Sequence, residues 1–503
     1  MTSHWGSDTV PSMKDGDSPS SEATLADLVM QLQSAAGTQD PEERIAAIGD
    51  IQDTGIAHFS ALVVQYVGGA VENYGAREAL WESLSRYQSR LTRELCAAAE
   101  AAPTAASAAR ALFAIRALVK LHYIHYASVP GKLWRAAYAL HASAEKRGFA
   151  TTPVHISEHR AMTTVERELL RLLMLRMGAP DMMAPEQIEL ADRAVDQVGS
   201  EFTLRQPGVA DNPFCYEPAN EFGPRRAKDR ELPASARYFG PGMGYGSLER
   251  ITRELGSRAL EHFRPFGKDL PPLAQLNTVQ HLLRFWREDS PYSPPLHSPV
   301  SGSLQVVHGY GWVWQYLSEG GRGTRELSIA DTSTALLQPP EIWELRSEGG
   351  GELGAAVPAQ SRAWAKCGVL VGLSMRDGER WVGLIRRMYD GPDGKLQAGF
   401  ALLSLDPQAH ALREVLEDDD ESGFTDASSR QFGMSRVNAV ILADGTDRGQ
   451  PANLLLPEQR WKPGRAYELE EGDTGRFLRS AQVIRHGVDF VRTTFEWVSA
   501  PKE

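Results

Sequence analysis

The hydrophobic pattern changes character near residue 300, and this change limits the folds that are open to the chain. Before that point apolar residues recur at helical spacing, as in Leu25, Leu28, Val29 and Leu32. After Leu304 the apolar residues form short runs that are separated by turn signals. Helices in the first part and strands in the second predict an α+β protein of several domains.

The strand-like runs favour a small barrel. Val369–Leu373 and Trp381–Ile385 are joined by Arg376–Glu379, whose Asp-Gly pair is typical of a hairpin turn. Strands at a spacing of about 8 to 12 residues are typical of barrels and sandwiches. A second β-like stretch runs from Val437 to Val498.

Breaks in composition divide the chain further. The first residues are rich in Ser, Asp, Gly and Pro, and Ser290–Ser303 is rich in Pro and Ser. We predict disorder over 1–22, an α-helical domain over 23–205, a loop and helical connector packed on it over 206–298, a small barrel over 299–412, an acidic linker over 413–430 and a β-rich segment over 431–503.

Charge and cysteine content exclude several classes of protein. The 53 basic and 65 acidic residues give a net charge of −12, which is unlike a general nucleic-acid binder. Cys96, Cys215 and Cys367 lie far apart and predict no disulfide framework. No apolar run approaches the roughly 18 to 20 residues of a membrane span, and the polar start is not a signal peptide. We therefore predict a cytoplasmic protein without a membrane span.

The segment His155–His159 matches the H-x-x-E-H pattern of zinc peptidases. That chemistry needs both histidines on one helical face, a glutamate base and a third ligand downstream. Pro153 places the motif in a connector or in the first turn of a helix. We favour a solvated connector, and keep a zinc hydrolase that uses His155, Glu158 and His159 as a third alternative.

Two further motifs are incomplete. Asp418–Gly423 resembles the start of a calcium loop, but Ser429 stands where the bidentate glutamate belongs, so an acidic linker is preferred. Gly240–Gly246 fails the G-x-G-x-x-G register and lacks a Walker lysine, so we interpret it as a flexible approach to a helix. We predict no bound metal, no cofactor and no catalytic residue.

The turn Leu345–Gly350 is more informative. A serine three residues before a glycine at a strand end can present a hydroxyl and a close backbone approach to a phosphate or a base edge. Arginines suit bidentate phosphate contacts and stack on purines. The candidate arginines before the turn are Arg284, Arg287, Arg322 and Arg325.

The β region resembles a PilZ domain, the small barrel that binds cyclic di-GMP in many bacterial proteins. The residues that carry the resemblance, in order, are Arg346–Gly350, Gly368–Leu373, Trp381–Met388 and Leu396–Leu403. From about Arg110 onward the chain is also similar to large proteobacterial PilZ-related proteins with a long helical N-terminal region. That similarity rests on Leu133–Tyr138, Ala144–Glu145, Glu168–Met174, Pro185–Leu190, Asn453–Pro457 and Lys462–Gly464.

The chain departs from the PilZ ligand motifs. Of the D/N-x-S-x-x-G turn only Ser347 and Gly350 survive, with Leu345 in the first position. The segment Pro291–Val300, where the R-x-x-x-R pair belongs, has no arginine. Any binding is therefore expected to be micromolar or weaker. The resemblance implies a ligand site at Arg346, Ser347, Gly350, Arg284, Arg287, Arg322 and Arg325.

The resemblance implies a non-enzymatic regulatory protein of the PilZ-like cyclic di-GMP effector type, acting on pili, motility or biofilm. The alternative is a degenerate PilZ-like scaffold that works by protein contacts without nucleotide. Either function predicts an unidentified protein partner and no nucleic-acid partner.

Overall fold

The structure is a computed structural model. It describes residues 21–68, 74–157, 160–205, 212–227, 233–257, 263–290, 298–320, 339–375, 379–391, 393–415, 436–442, 452–462, 464–469 and 476–498. These residues fall into two compact units. Unit 1 takes its described residues from Met1–Leu118 and Ala136–Glu168, and unit 2 takes them from Val119–Arg135 and Leu169–Glu503.

The helices dominate the first 320 residues. They are α1 (Ser21–Ala35), α2 (Pro41–Val67), α3 (Tyr74–Ala101), α4 (Ala105–Ile124), α5 (Gly131–Arg147), α6 (Val165–Met177), α7 (Pro185–Val198), α8 (Gly244–Ser257), α9 (Pro272–Trp286) and α10 (Tyr310–Gly320). Within the described ranges, none of them is both long enough and apolar enough to cross a bilayer.

The strands lie mainly in the second half. They are β1 (Thr203–Arg205), β2 (Phe214–Tyr216), β3 (Arg225–Arg226), β4 (Arg237–Gly240), β5 (Ser298–His308), β6 (Glu341–Gly349), β7 (Glu352–Ala356), β8 (Leu370–Ser374), β9 (Trp381–Asp390), β10 (Leu396–Ser404), β11 (Pro407–Glu414), β12 (Arg436–Leu442), β13 (Ala452–Pro457), β14 (Ala466–Leu469), β15 (Arg476–His486) and β16 (Phe490–Val498).

Unit 1 is built on the amphipathic pattern of its helices. In α1, Leu25, Leu28 and Leu32 are buried, because their spacing puts them on one face. Helix α2 begins after Asp40, whose carboxylate accepts the first free backbone N–H groups of the helix. The ring of Phe59 in α2 packs against an aromatic ring of α3. The predicted helical region is thus a packed core of helices.

Unit 2 contains two closed barrels. The first has the strand order β10-β7-β6-β5-β8-β9, and the second has the order β11-β12-β13-β16-β15-β14. Trp343 and Phe400 fill the first, with ring centroids 5.5 Å apart. Tyr467 and Phe495 are buried in the second. Closure removes free sheet edges, which short strands cannot otherwise protect.

Helix α10 contacts both barrels. The Tyr310 hydroxyl lies 2.8 Å from the Asn438 carbonyl oxygen and 2.9 Å from that of Leu455, both in the second barrel. Val313 and Leu317 pack with Leu370 of the first barrel in one buried cluster. The helix therefore fixes the two barrels against each other.

The predicted fold class is confirmed: a helical N-terminal region is followed by a β-rich region with two barrels. The predicted hairpin is present, because β8 and β9 pair antiparallel. Strand β11, at the end of the range predicted for the first barrel, pairs with β12 and β14 of the second instead. Most of the predicted disordered start and acidic linker lies outside the described residues.

The connector predicted over 206–298 holds more than loop and helix. Strands β2, β3 and β4 lie in it. They form a four-stranded sheet with β1, which ends the range predicted as helical, in the order β1-β4-β2-β3. Each of these strands has only two to four residues, so no alternation could develop in the sequence.

Candidate functional site

Most of the predicted turn Leu345–Gly350 is strand instead: Leu345–Gly349 belong to β6, and only Gly350 lies in the connection to β7. Its arginine is already paired. Arg346 Nη2 lies 2.8 Å from Glu344 Oε2 and 3.0 Å from Asp393 Oδ2. Gly350 has a φ of +61°, as a tight hairpin turn requires. The Ser347 hydroxyl fills the space beside β7 where a Cβ on Gly354 would be. Leu345, in the position of the PilZ aspartate or asparagine, is buried.

The two candidate arginines that the structure describes, Arg284 and Arg287, have their contacts elsewhere. Arg287 pairs with Asp289 through two contacts of 3.0 Å. Arg284, in the last turn of α9, lies near the second barrel instead. Arg322 and Arg325 lie outside the described residues.

Arg284 belongs to a group of guanidinium side chains that we call the arginine cluster: Arg284, Arg386, Arg485 and Arg492. Arg485 of β15 stands directly opposite Arg492 of β16 in the strand register. Like charges in directly opposed positions destabilise a sheet. Partial desolvation, together with Arg386, Arg492 and Arg284, lowers the pKa of Arg485. The sequence has thus placed mutually repelling charges at one place.

Two of the four arginines, Arg284 and Arg485, have no carboxylate beside them among the described residues. Arg386 pairs with Glu352. Arg485 and Arg284 are exposed, and neither forms an ion pair with a carboxylate in the described part of the chain. Arg485 Nη2 extends toward Gly368 and lies 3.9 Å from where a Cβ on that glycine would be. Two exposed guanidinium groups without a carboxylate among the described residues, Arg284 and Arg485, favour a phosphate-bearing ligand.

Next to the cluster, unit 2 contains an open cavity of about 360 Å³. Its aromatic lining comes from Tyr123, Tyr126, Trp134 and Tyr389. The charged groups in its wall are Arg176, Asp181 and Asp390. These side chains come from the end of α4, the start of α5, the end of α6, the turn after α6 and strand β9.

Cys367 lies between the cavity wall and the arginine cluster, close enough to Asp181 and to Arg485 for both charges to act on its thiol. The Tyr126 hydroxyl accepts a hydrogen bond from the backbone N–H of Cys367 at 3.2 Å. Cys367 precedes Gly368, over which Arg485 extends. Asp181 Oδ2 lies 3.4 Å from Nε of Arg387 in β9. A ligand with both a ring and phosphates could therefore put its ring in the cavity and its phosphates against the arginine cluster.

The sequence motifs for metals gain no support. Glu158 and His159 of the zinc-like pattern lie outside the described residues, as does the calcium-like segment 418–429. Within the described residues, no group of three or more His, Cys, Asp and Glu side chains is arranged to hold a metal ion. The glycine run connects β4 to α8, as its interpretation as an approach to a helix predicted.

Near the cavity, His281 makes the stability of the protein dependent on pH. Its Nε2 lies 2.9 Å from the carbonyl oxygen of Gly178, and burial lowers its pKa from 6.5 to about 4. Between these values the unfolded chain binds more protons than the folded chain, so stability falls as the pH falls. We expect His281 to remove about 3 kcal/mol of unfolding free energy between pH 7 and pH 4.

Urea unfolding of the wild type and of His281→Gln at both pH values measures this effect. The variant should lose about 3 kcal/mol less than the wild type on acidification. Equal losses in the two proteins would show that the native state tolerates a charged His281.

Comparison with known proteins gives one match. No curated protein and no solved structure matches the chain. A family model confirms the resemblance to cyclic di-GMP effectors that the sequence predicted: over residues 12–208, the chain matches the N-terminal domain of the cyclic-di-GMP receptor FimW.

Proposed function

We propose that this protein is a cyclic di-GMP receptor that acts in signalling and is not an enzyme. The observation that carries the proposal is the match of residues 12–208 to the N-terminal domain of a receptor described as binding that nucleotide. The matched region includes the helical wall of the cavity, from Tyr123 to Asp181. It therefore lies beside the groups that suit a nucleotide.

The arginine cluster supports the proposal, because cyclic di-GMP carries two phosphate charges. Guanidinium groups bind phosphate oxygens bidentately, and such charge-assisted bonds are the strong ones. Arg284 and Arg485 are exposed and have no carboxylate ion pair among the described residues, so both can receive a phosphate. We place the phosphates here rather than at the turn of Ser347.

The finer parts of the proposal follow the sequence resemblance. The first barrel is PilZ-like, the protein is cytoplasmic, and it acts through a protein partner on pili, motility or biofilm. The alternative is a PilZ-like scaffold without nucleotide. That alternative is favoured by the turn itself, where Arg346 is paired with two carboxylates and Leu345 is buried.

Isothermal titration of the purified chain with cyclic di-GMP tests the proposal. We expect a micromolar dissociation constant that rises with salt concentration, because the contacts to phosphate are ionic. Cyclic di-AMP, which has the same phosphates and a different base, is the control for base recognition. No heat or shift at high micromolar cyclic di-GMP would overturn the receptor function and favour the scaffold.

A further inference from the structure

We infer that the cavity beside the arginine cluster is a recognition pocket for a guanine base. The inference rests on the proposed function, because cyclic di-GMP would supply the guanine. It concerns residues outside the predicted turn: Tyr123, Asp181, Arg176 and Asp390, with Trp134 and Tyr389 as aromatic walls.

Two buried polar atoms in the cavity wall make no hydrogen bond with any described residue, although one of them is ion-paired with Arg176. The Tyr123 hydroxyl is buried, the residue is only 9% exposed, and the oxygen makes no hydrogen bond with any described residue. Asp181 Oδ1 is also buried without a hydrogen-bond partner among those residues, and Arg176 Nη1 stays 3.6 Å away. Buried polar groups are nearly always satisfied, so these two atoms indicate a missing ligand.

The backbone around the cavity is strained. Among the described residues, Tyr126 and Ala179 are the non-glycine residues with a positive φ, at 57° and 54°. Tyr126 lines the cavity, and Ala179 directly precedes Pro180, which also lines it. Tyr126 is held by a hydrogen bond of 3.0 Å from its hydroxyl to the Met183 carbonyl. Such backbone strain concentrates at ligand sites, where it holds groups in place for binding.

The shape and the polar groups fit a purine with donors on one edge. A volume of about 360 Å³ accommodates a base with room for its sugar, and aromatic side chains give a base surfaces for stacking. Guanine presents two adjacent N–H donors, which suit the carboxylate of Asp181 or Asp390. Its O6 and N7 acceptors suit Arg176 and the Tyr123 hydroxyl.

Adenine fits this pocket less well. Its pairing edge offers one amino donor beside a ring-nitrogen acceptor, and a carboxylate facing that edge meets an unfavourable lone pair. Asp390 already accepts the Ser128 N–H at 2.7 Å through Oδ2, so its position is fixed. A fixed carboxylate selects between bases, because the wrong base leaves a polar group unpaired.

The test compares cyclic di-GMP, cyclic di-AMP and GMP by calorimetry. Tyr123→Phe removes only the hydroxyl and should weaken cyclic di-GMP about three- to tenfold. Asp181→Asn should weaken it about ten- to a hundredfold and reduce the preference over cyclic di-AMP. Ala127→Trp, at the cavity wall, should block binding of GMP. Tyr467→Phe removes a buried hydroxyl in the second barrel and is the matched control.

The outcomes separate this inference from the proposed function. If the wild type binds cyclic di-GMP and all three cavity variants bind it equally well, the cavity is not the guanine site and the receptor function stands. If the wild type binds GMP in a manner that Ala127→Trp abolishes but does not bind cyclic di-GMP, the pocket stands and the receptor function fails. Absence of binding of both ligands to the wild type overturns both.

Discussion

Replacing Lys120 with methionine is expected to lower the free energy of unfolding by about 3 kcal/mol. Lys120 is buried in unit 2, with Nζ 2.7 Å from Glu189 Oε2 and 2.9 Å from Asp192 Oδ2. Burial alone would lower its pKa, but the two carboxylates outweigh burial and raise it. Methionine has a similar length and leaves the two carboxylates without this cation. Arg193 stays beside Glu189 at 2.9 Å, which limits the loss.

The control variant removes the positive charge of Lys120 together with the two negative charges beside it. Lys120→Met combined with Glu189→Gln and Asp192→Asn leaves no buried carboxylate of this group uncompensated, so most of the loss should be recovered. Urea denaturation of the three proteins measures the difference. If Lys120→Met alone is as stable as the wild type, water must reach the carboxylates of Glu189 and Asp192. Because Lys120 joins the end of α4 to α7, the single variant should also loosen the cavity wall at Tyr123.

The helices and the hairpins were predictable because their signals are local. Leu25, Leu28 and Leu32 repeat at helical spacing and are all buried in one face. The Asp-Gly turn before Trp381 indicated the β8–β9 pair. The small sheet of β1 to β4 gave no such signal, because strands of a few residues show no alternation. The range predicted for the first barrel took in most of β11, but the barrel to which β11 belongs depends on long-range pairing that the local pattern does not contain.

The site could not be predicted in the same way. Its arginines come from α9, β9, β15 and β16, so Arg284 and Arg485 are two hundred residues apart in the sequence. Arg284 was a candidate, but for a site at Ser347 that the contacts of Arg346 do not favour. Only the register of β15 and β16, which puts Arg485 opposite Arg492, shows that these charges meet.

That opposition makes Arg485→Glu informative, since stability and binding should change in opposite directions. Glutamate opposite Arg492 replaces a repulsive cross-strand pair by an attractive one, so the free energy of unfolding should rise by about 0.5 to 1 kcal/mol. Affinity for cyclic di-GMP should fall about a hundredfold or more, because a guanidinium contact to phosphate is lost and a carboxylate repels the ligand. A binding site that holds repelling charges together costs stability, so a substitution that removes the repulsion is expected to stabilise the protein and to weaken binding.

The matched control is Arg479→Glu, on the same strand and opposite Glu496, which changes the net charge equally but lies outside the cluster. Calorimetry and thermal unfolding of both variants separate a local effect from a general one. Arg346→Ala with Ser347→Ala tests the site predicted from the sequence. If that double variant loses binding while Arg485→Glu keeps it, the ligand lies at the β6–β7 turn. If only Arg485→Glu loses binding, the repulsion built into the second barrel is there to hold phosphate.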